Sequence, residues 1–299
     1  MIRRPLSLFA LVCGCSLVFP AIAANNPAQV PELTGMWGRN SLDFEAPASG
    51  PGPVFNLARR PNGAPDINTL VGDYNNPILK PNAAEQLKRK GEDSLHGIVF
   101  ADPHNACWPD PVPFVLYNFQ IQILQQPNEV VILYMEDHEV RHVRMNARHP
   151  ATVTPSFTGD SVGHYEGDAL VVDTVGLKVG PLAYVDQYGT PYSEDLHVVE
   201  RYRLIDGEAA RTAMARHEKE HGRIGPAFEG ALIDDNYPGK ALQIEFTVED
   251  QGVFRMPWSA LVTYRRPANA WEERVCAENW HEYFANRDTT IPVSLNPDF

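Results

Sequence analysis

From residue 118 to residue 266 the chain is a succession of short segments in which apolar and polar residues alternate. "NFQIQIL" at 118–124 and "EVVILYME" at 129–136 flank the turn text "QQPN", and "EVRHVRM" at 139–145 follows. The pair "DSVGHYE" and "ALVVDTV" spans 160–175, followed by "LHVVERYRLI" at 196–205, "LQIEFTVED" at 242–250 and "WSALVTYRR" at 258–266. "LTGMWGR" at 33–39 makes a ninth. A period of two is the signature of a strand with one buried face. Strand after strand with short turns predicts a mainly β fold, an antiparallel meander closed as a lipocalin-like barrel or folded as a sandwich. A barrel of about eight strands can enclose one small ligand.

The rest of the chain is arranged around that sheet. "MIRRP", the apolar "LSLFALVCGCSLVF" and "AIA" at 21–23 have the form of a cleavable export signal, so residues 1–24 read as a leader and 25–299 as one domain. "VCGC" loosely resembles a lipoprotein signal through Cys15, beside the cleaner A-x-A site. The expected product is periplasmic or secreted. Residues 40–115 form a proline-rich irregular wrap, with eleven prolines between 47 and 113, too many for regular sheet. One helix fits inside it, "KPNAAEQLKRKG", with Pro81 in the first turn and Gly91 as its stop. Residues 207–224 read as a helix or an irregular insertion, and "ERVCAENWHEYFANRDTTIPVSLNPDF" at 273–299 as a short helix and tail. The formal charge of −13 becomes more negative once Arg3 and Arg4 leave with the leader, which argues against nucleic acid and anionic membranes as partners. The apolar run of the leader is too short to span a bilayer. Outside it only Cys107 and Cys276 remain, and two cysteines in an oxidising compartment predict one disulfide.

The densest cluster of chemistry lies in "GDSVGHYEGDALVVDTVG", residues 159–176. Gly167-Asp168 suits a two-residue type II′ turn. That turn sets Glu166 opposite Ala169, His164 opposite Val171 and Val162 opposite Asp173. One face then carries Asp160, His164, Glu166 and Asp173, the other Ser161, Gly163, Tyr165, Leu170, Val172 and Thr174. The same alternation puts His197, Val199, Arg201 and Arg203 on one face of their strand and Glu200 and Tyr202 on the other. Histidine beside carboxylate suits proton transfer near neutral pH. The expected catalytic set is therefore His164 as the acid–base group, Asp173 or Asp160 as its orienting partner, and Arg201 or Arg141 as anion stabiliser. Tyr134, Arg141, His149, Tyr165, Glu166, His197 and Tyr202 are the expected ligand-binding residues. His164 is expected on the cavity side of the hairpin.

Two other motifs compete. "HEKEH" at 217–221 matches H-E-x-x-H, in which His217 and His221 would hold zinc and Glu218 act as base. Its middle is charged, and only Glu245 and Glu249, both on a strand, offer a third ligand, so no metal is expected. "GDSVG" at 159–163 has the letters of a nucleophile elbow around Ser161, but strand rather than helix follows it.

"HPATVTPSFTGDSVGHYEGDALVVDTVG", "LHVVERYRLID", "FTVEDQGVFRMPWSALVTYRR" and "VCAENWHEYF" resemble a family of secreted bacterial proteins marked by GDSVGHWEGDTLVVDT-like text, over roughly the whole mature chain. Tyr165 stands where Trp is common there, and Ala169 where Thr is common. The resemblance implies a shared fold and carries no assigned activity. Gly35 and Trp37 of "LTGMW" also resemble the G-x-W start of lipocalin-type barrels. The leading expectation is an exported protein that binds a small apolar or aromatic molecule in a barrel cavity, with cofactor-free acid–base turnover as a lyase, hydratase or isomerase. A pure binding protein and a zinc hydrolase built on HEKEH are the alternatives.

Overall fold

The structure is a computed structural model that describes residues 30–41, 43–136, 138–222, 233–234, 237–268 and 275–276. The leader reading, residues 223–224 and the tail after Cys276 lie outside the described residues. All nine expected strands are present: β1 Gly35–Gly38, β2 Gln120–Gln125, β3 Glu129–Tyr134, β4 Val140–Met145, β5 Asp160–Glu166, β6 Ala169–Val175, β7 His197–Ile205, β8 Ala241–Glu249 and β9 Trp258–Tyr264. They form one sheet in chain order, β1 to β9. Its two ends meet where Gly38 and Arg265 exchange backbone hydrogen bonds of 2.6 and 2.7 Å, so the sheet curls into a nearly closed barrel.

The order departs from a pure meander at one place. β4 and β5 pair in parallel, Val143 with Ser161 and Met145 with Gly163. A parallel pair needs a crossover, and residues 146–159 supply it. Gly163 faces inward at this junction, where a Cβ would stand 2.8 Å from a Val143 methyl.

The free side of β9 is covered by chain that follows β1. Glu45 and Leu261 exchange backbone hydrogen bonds, and the buried Glu45 carboxylate accepts from the Thr263 amide at 2.8 Å and its hydroxyl at 2.9 Å. A side chain thus takes the place of a neighbouring strand, which removes an open edge.

The helices hold the wrap to the barrel. α1 runs from Pro81 to Leu95, longer than expected, because Gly91 does not stop it. Gly91 is buried, and a Cβ there would lie 3.1 Å from Val71, so its small size serves packing. α2 spans Gly207–His221 behind the N-cap Asp206, whose carboxylate accepts from the Glu208 and Ala209 amides. Its buried face is Ala210, Met214 and His217.

The inner face of the barrel is filled by side chains. Trp37, Ile121, Ile132, Val143, Leu170, Val172, Val198, Ile244, Phe246 and Val262 are all within 1 % of full burial. Buried apolar area of this kind is the main stabilising contribution to a fold.

Candidate functional site

The hairpin forms with the expected register: Asp160 faces Val175, His164 faces Val171, and Glu166 faces Ala169. The turn has a positive φ at Gly167 and not at Asp168, as a type II′ turn requires. The two faces divide as read from the sequence, but the inward face is the less charged one. Ser161, Gly163, Leu170, Val172 and Thr174 point into the barrel, and Asp160, His164, Glu166 and Asp173 point out. The cavity-side placement of His164 is therefore corrected: its side chain is 50 % exposed on the outer wall. Val162 and Val171 share that wall and are nevertheless buried; Arg144 stands opposite Val162 and Arg201 opposite Val171 in the register.

The outer wall gathers most of the expected catalytic and ligand-binding residues into a hydrogen-bonded lattice. Arg144 grips both oxygens of Asp160 at 2.7 and 2.8 Å. His149 bridges Asp160 at 2.6 Å and Asp173 at 3.2 Å, and His197 reaches the same Asp173 oxygen at 2.9 Å. His164 and Arg201 both hold Glu166 at 2.8 Å, and these partners keep the Glu166 carboxyl below its ordinary range. Exposed pairs of this kind are screened by water and salt and add little to stability.

Arg141, Tyr134 and Tyr202 are instead inside. Arg141 is 2 % exposed and makes four hydrogen bonds, to Ser161 at 3.1 Å, to Thr174 at 2.6 Å and to both oxygens of Glu200. Tyr202 donates to Glu200 at 2.8 Å. Burial works against the Arg141 charge, and the facing Glu200 carboxylate overrides it and holds the guanidinium well above its ordinary pKa. The guanidinium expected to meet an anionic ligand is thus engaged by the barrel's own carboxylate. Ser161, the residue of the elbow-like letters, is buried near the start of β5 beside it. Tyr165 lies at the margin of the interior, where its hydroxyl accepts from Gln125 at 2.7 Å.

HEKEH folds on α2 with both histidines on the inner side. His217 meets the Ser41 hydroxyl at 2.9 Å, its ring stacks on His221 at 4.7 Å, and Phe55 covers His221 at 4.4 Å. Burial, with His221 and two arginines nearby, pushes the His217 pKa down to about 3. Asp43, which accepts from Tyr188, is raised to about 6 by burial. Among the described residues no group of three or more His, Cys, Asp or Glu is placed to hold a metal ion. Glu245 and Glu249 face solvent on the barrel wall, within 3.6 Å of Arg203 and 3.8 Å of His197 respectively.

A small apolar cleft lies just beyond the open end of the β5–β6 hairpin. It is built from three segments distant in sequence: the wrap around Trp108, the crossover at Phe157 and the β6–β7 loop at 178–183. The hairpin itself brings the last two together, through a 2.8 Å hydrogen bond from the Lys178 amide to the Ser156 carbonyl. Trp108 meets Phe157 edge to face with ring centres 5.7 Å apart, a favoured geometry for aromatic pairs. Four prolines, Val179, Leu182 and Ala183 complete the apolar wall, and Tyr192 closes it with its hydroxyl turned onto the Lys178 carbonyl at 2.9 Å. The space measures about 150 Å³. Trp108 is held in place from its own segment: Asp102 and Asn105 cap each other at 2.7 and 2.9 Å, and Cys107 is bonded to Cys276 with Cα atoms 5.4 Å apart. None of these cleft residues was singled out from the sequence. The one available signal was "CWPDPVP", a tryptophan and prolines directly after a bonded cysteine.

Comparisons with protein-family models, with characterised proteins and with solved structures return no match to this chain.

Proposed function

We propose that this is an exported protein that binds a small apolar or aromatic molecule, and that the ligand sits in the Trp108–Phe157 cleft outside the barrel. The observation that carries the reading is the cleft itself: a preformed concavity with an aromatic pair and proline walls, the composition expected of a small-ligand site. Its size supports a single-ring ligand, because an apolar cavity of ~150 Å³ accommodates benzene. Export is supported by the Cys107–Cys276 bond, which persists in oxidising compartments. The barrel interior, where the ligand was expected, is occupied by its own side chains and the Arg141–Glu200 pair.

Acid–base turnover is the second reading. It is favoured by His149, whose two ring nitrogens each face a carboxylate, and by His197 on the shared Asp173. That lattice lies on the outer wall and contributes no residue to the cleft.

Titration of the leader-free protein with single-ring aromatic compounds, followed by calorimetry, tests the leading reading. Trp108→Ala should weaken binding by roughly tenfold or more, as removal of an aromatic anchor does, while His164→Ala leaves it unchanged. Absence of binding to any member of the panel, or indifference to Trp108→Ala, would refute it.

A further inference from the structure

Among the described residues that line the cleft, Lys178 is the only one charged at neutral pH, and the Tyr192 hydroxyl, the only other ionisable group, is pushed well above its ordinary pKa by burial and stays neutral. The Lys178 ammonium stands 4.9 Å from the centre of the Phe157 ring, over the face of the aromatic wall. Among the described residues it has no carboxylate partner, although the protein as a whole is strongly acidic. The nearest carboxylate in sequence to the wall, Asp110, lies between two lining prolines but is 4 % exposed and turned to His104 and Asn118. A lone cation at the rim of an apolar pocket of this size selects by charge as well as by shape.

We infer that the ligand is an aromatic carboxylate, its single ring against Trp108 and Phe157 and its carboxylate on the Lys178 ammonium. This rests on the binding reading above and adds the charge of the ligand to it. The ring replaces water against the apolar wall, and the carboxylate supplies an anion that no described residue offers to Lys178. A ligand of the same shape with an ammonium group meets repulsion at that position. A neutral alcohol keeps the ring contact and gains no ionic one.

The test uses phenylacetate, 2-phenylethanol and 2-phenylethylamine with the leader-free protein, in calorimetric titrations. Phenylacetate should bind roughly fivefold more tightly than the alcohol, the scale of a partly exposed ion pair, and the amine most weakly. Lys178→Met, which keeps the stem and removes the charge, should bring the three affinities together. Lys178→Arg should restore the order. The advantage of phenylacetate should shrink between about 10 mM and about 1 M salt; this second measurement needs no variant. Equal affinities in the unsubstituted protein, or an order that survives Lys178→Met or high salt, overturn the inference and leave the binding reading standing. Failure of all three compounds to bind overturns both.

Discussion

Glu200→Gln should be among the most damaging isosteric changes in this protein. The substitution keeps the volume, but it turns one of the two acceptor oxygens into an NH2 donor facing other donors, and among the described residues it removes the only carboxylate paired with Arg141 inside the barrel. Arg141 and Glu200 are 2 % and 0 % exposed, and one nitrogen–oxygen distance is 3.1 Å. At charge centres ~4 Å apart their attraction is about 4 kcal/mol with an effective dielectric near 20. Removing one partner of such a pair typically costs about 3–5 kcal/mol, because the remaining charge stays buried without compensation. At about 2–4 °C per kcal/mol for a chain of this class, the thermal midpoint should fall by roughly 6–20 °C. Urea unfolding with the disulfide intact reads the free energy directly, provided the slope with denaturant is unchanged. Arg141→Met in the same background should recover much of the loss, since the buried charge is then gone. A Glu200→Gln protein within about 1 kcal/mol of the parent, with no coupling in the double-mutant cycle, would refute the account.

Two further outcomes follow from the same structure. The folded state holds His217 near pKa 3 against an ordinary 6.5, so its contribution is present above pH 6.5 and is lost as pH falls toward 3. Asp43 and Asp186, raised by burial to about 6, act with the opposite sign and favour the fold as pH falls from above 6 toward 4. His217→Gln should therefore lose less stability than the parent between pH 6.5 and pH 4, by up to about 1.4 kcal/mol per pH unit; parallel urea midpoints in the two proteins would sink this. Thiol titration of the unfolded, unreduced, leader-free protein should find no free thiol, and reduction should cost roughly 2–5 kcal/mol and weaken ligand binding, because Cys107 directly precedes Trp108.

The strands and the hairpin register were legible because their signals are local. Nine alternating segments gave nine strands, and Gly167 at the first turn position fixed which residues stand opposite each other. The direction of the faces was less legible. Both faces of the hairpin carry β-branched residues, and the charged one looked like a pocket lining. The signal that decides it lies on neighbouring strands: Glu200 sits between Val198 and Tyr202 on its face, and Arg141 shares a face with Val143. Glu200, with apolar neighbours at both i±2, and Arg141, with Val143 at i+2, are the inner pair, and the hairpin face that meets them must be Thr174 and Ser161. The parallel β4–β5 pairing was hidden because nothing local in residues 146–159, with Pro150 and Pro155, marks them as a crossover. Beyond the tryptophan and prolines of "CWPDPVP" the cleft left no sequence signal, since Trp108, Phe157 and Lys178 become neighbours only after the crossover, the hairpin and the wrap have closed.

The filled barrel explains why a binding site would be placed outside it. An interior that buries an arginine must spend its polar contacts on that charge, and Ser161, Thr174, Glu200 and Tyr202 are all engaged around Arg141 or its partner. Admitting a ligand there would mean separating a buried ion pair, at a cost of several kcal/mol. The loops at the open end of the β5–β6 hairpin carry no such burden. They are anchored to rigid strands on one side, through the Ser156–Lys178 hydrogen bond, and by the disulfide and the Asp102–Asn105 cap on the other. A cleft fixed from both sides gives a ligand its contacts without a further ordering cost, which is the condition under which a small apolar surface can bind usefully. The same logic assigns the outer lattice of His149, Asp160, Asp173 and His197 to the wall between these anchors: it pins the crossover residue His149 to β5 and β6, and so sets the path that delivers Phe157 to the cleft.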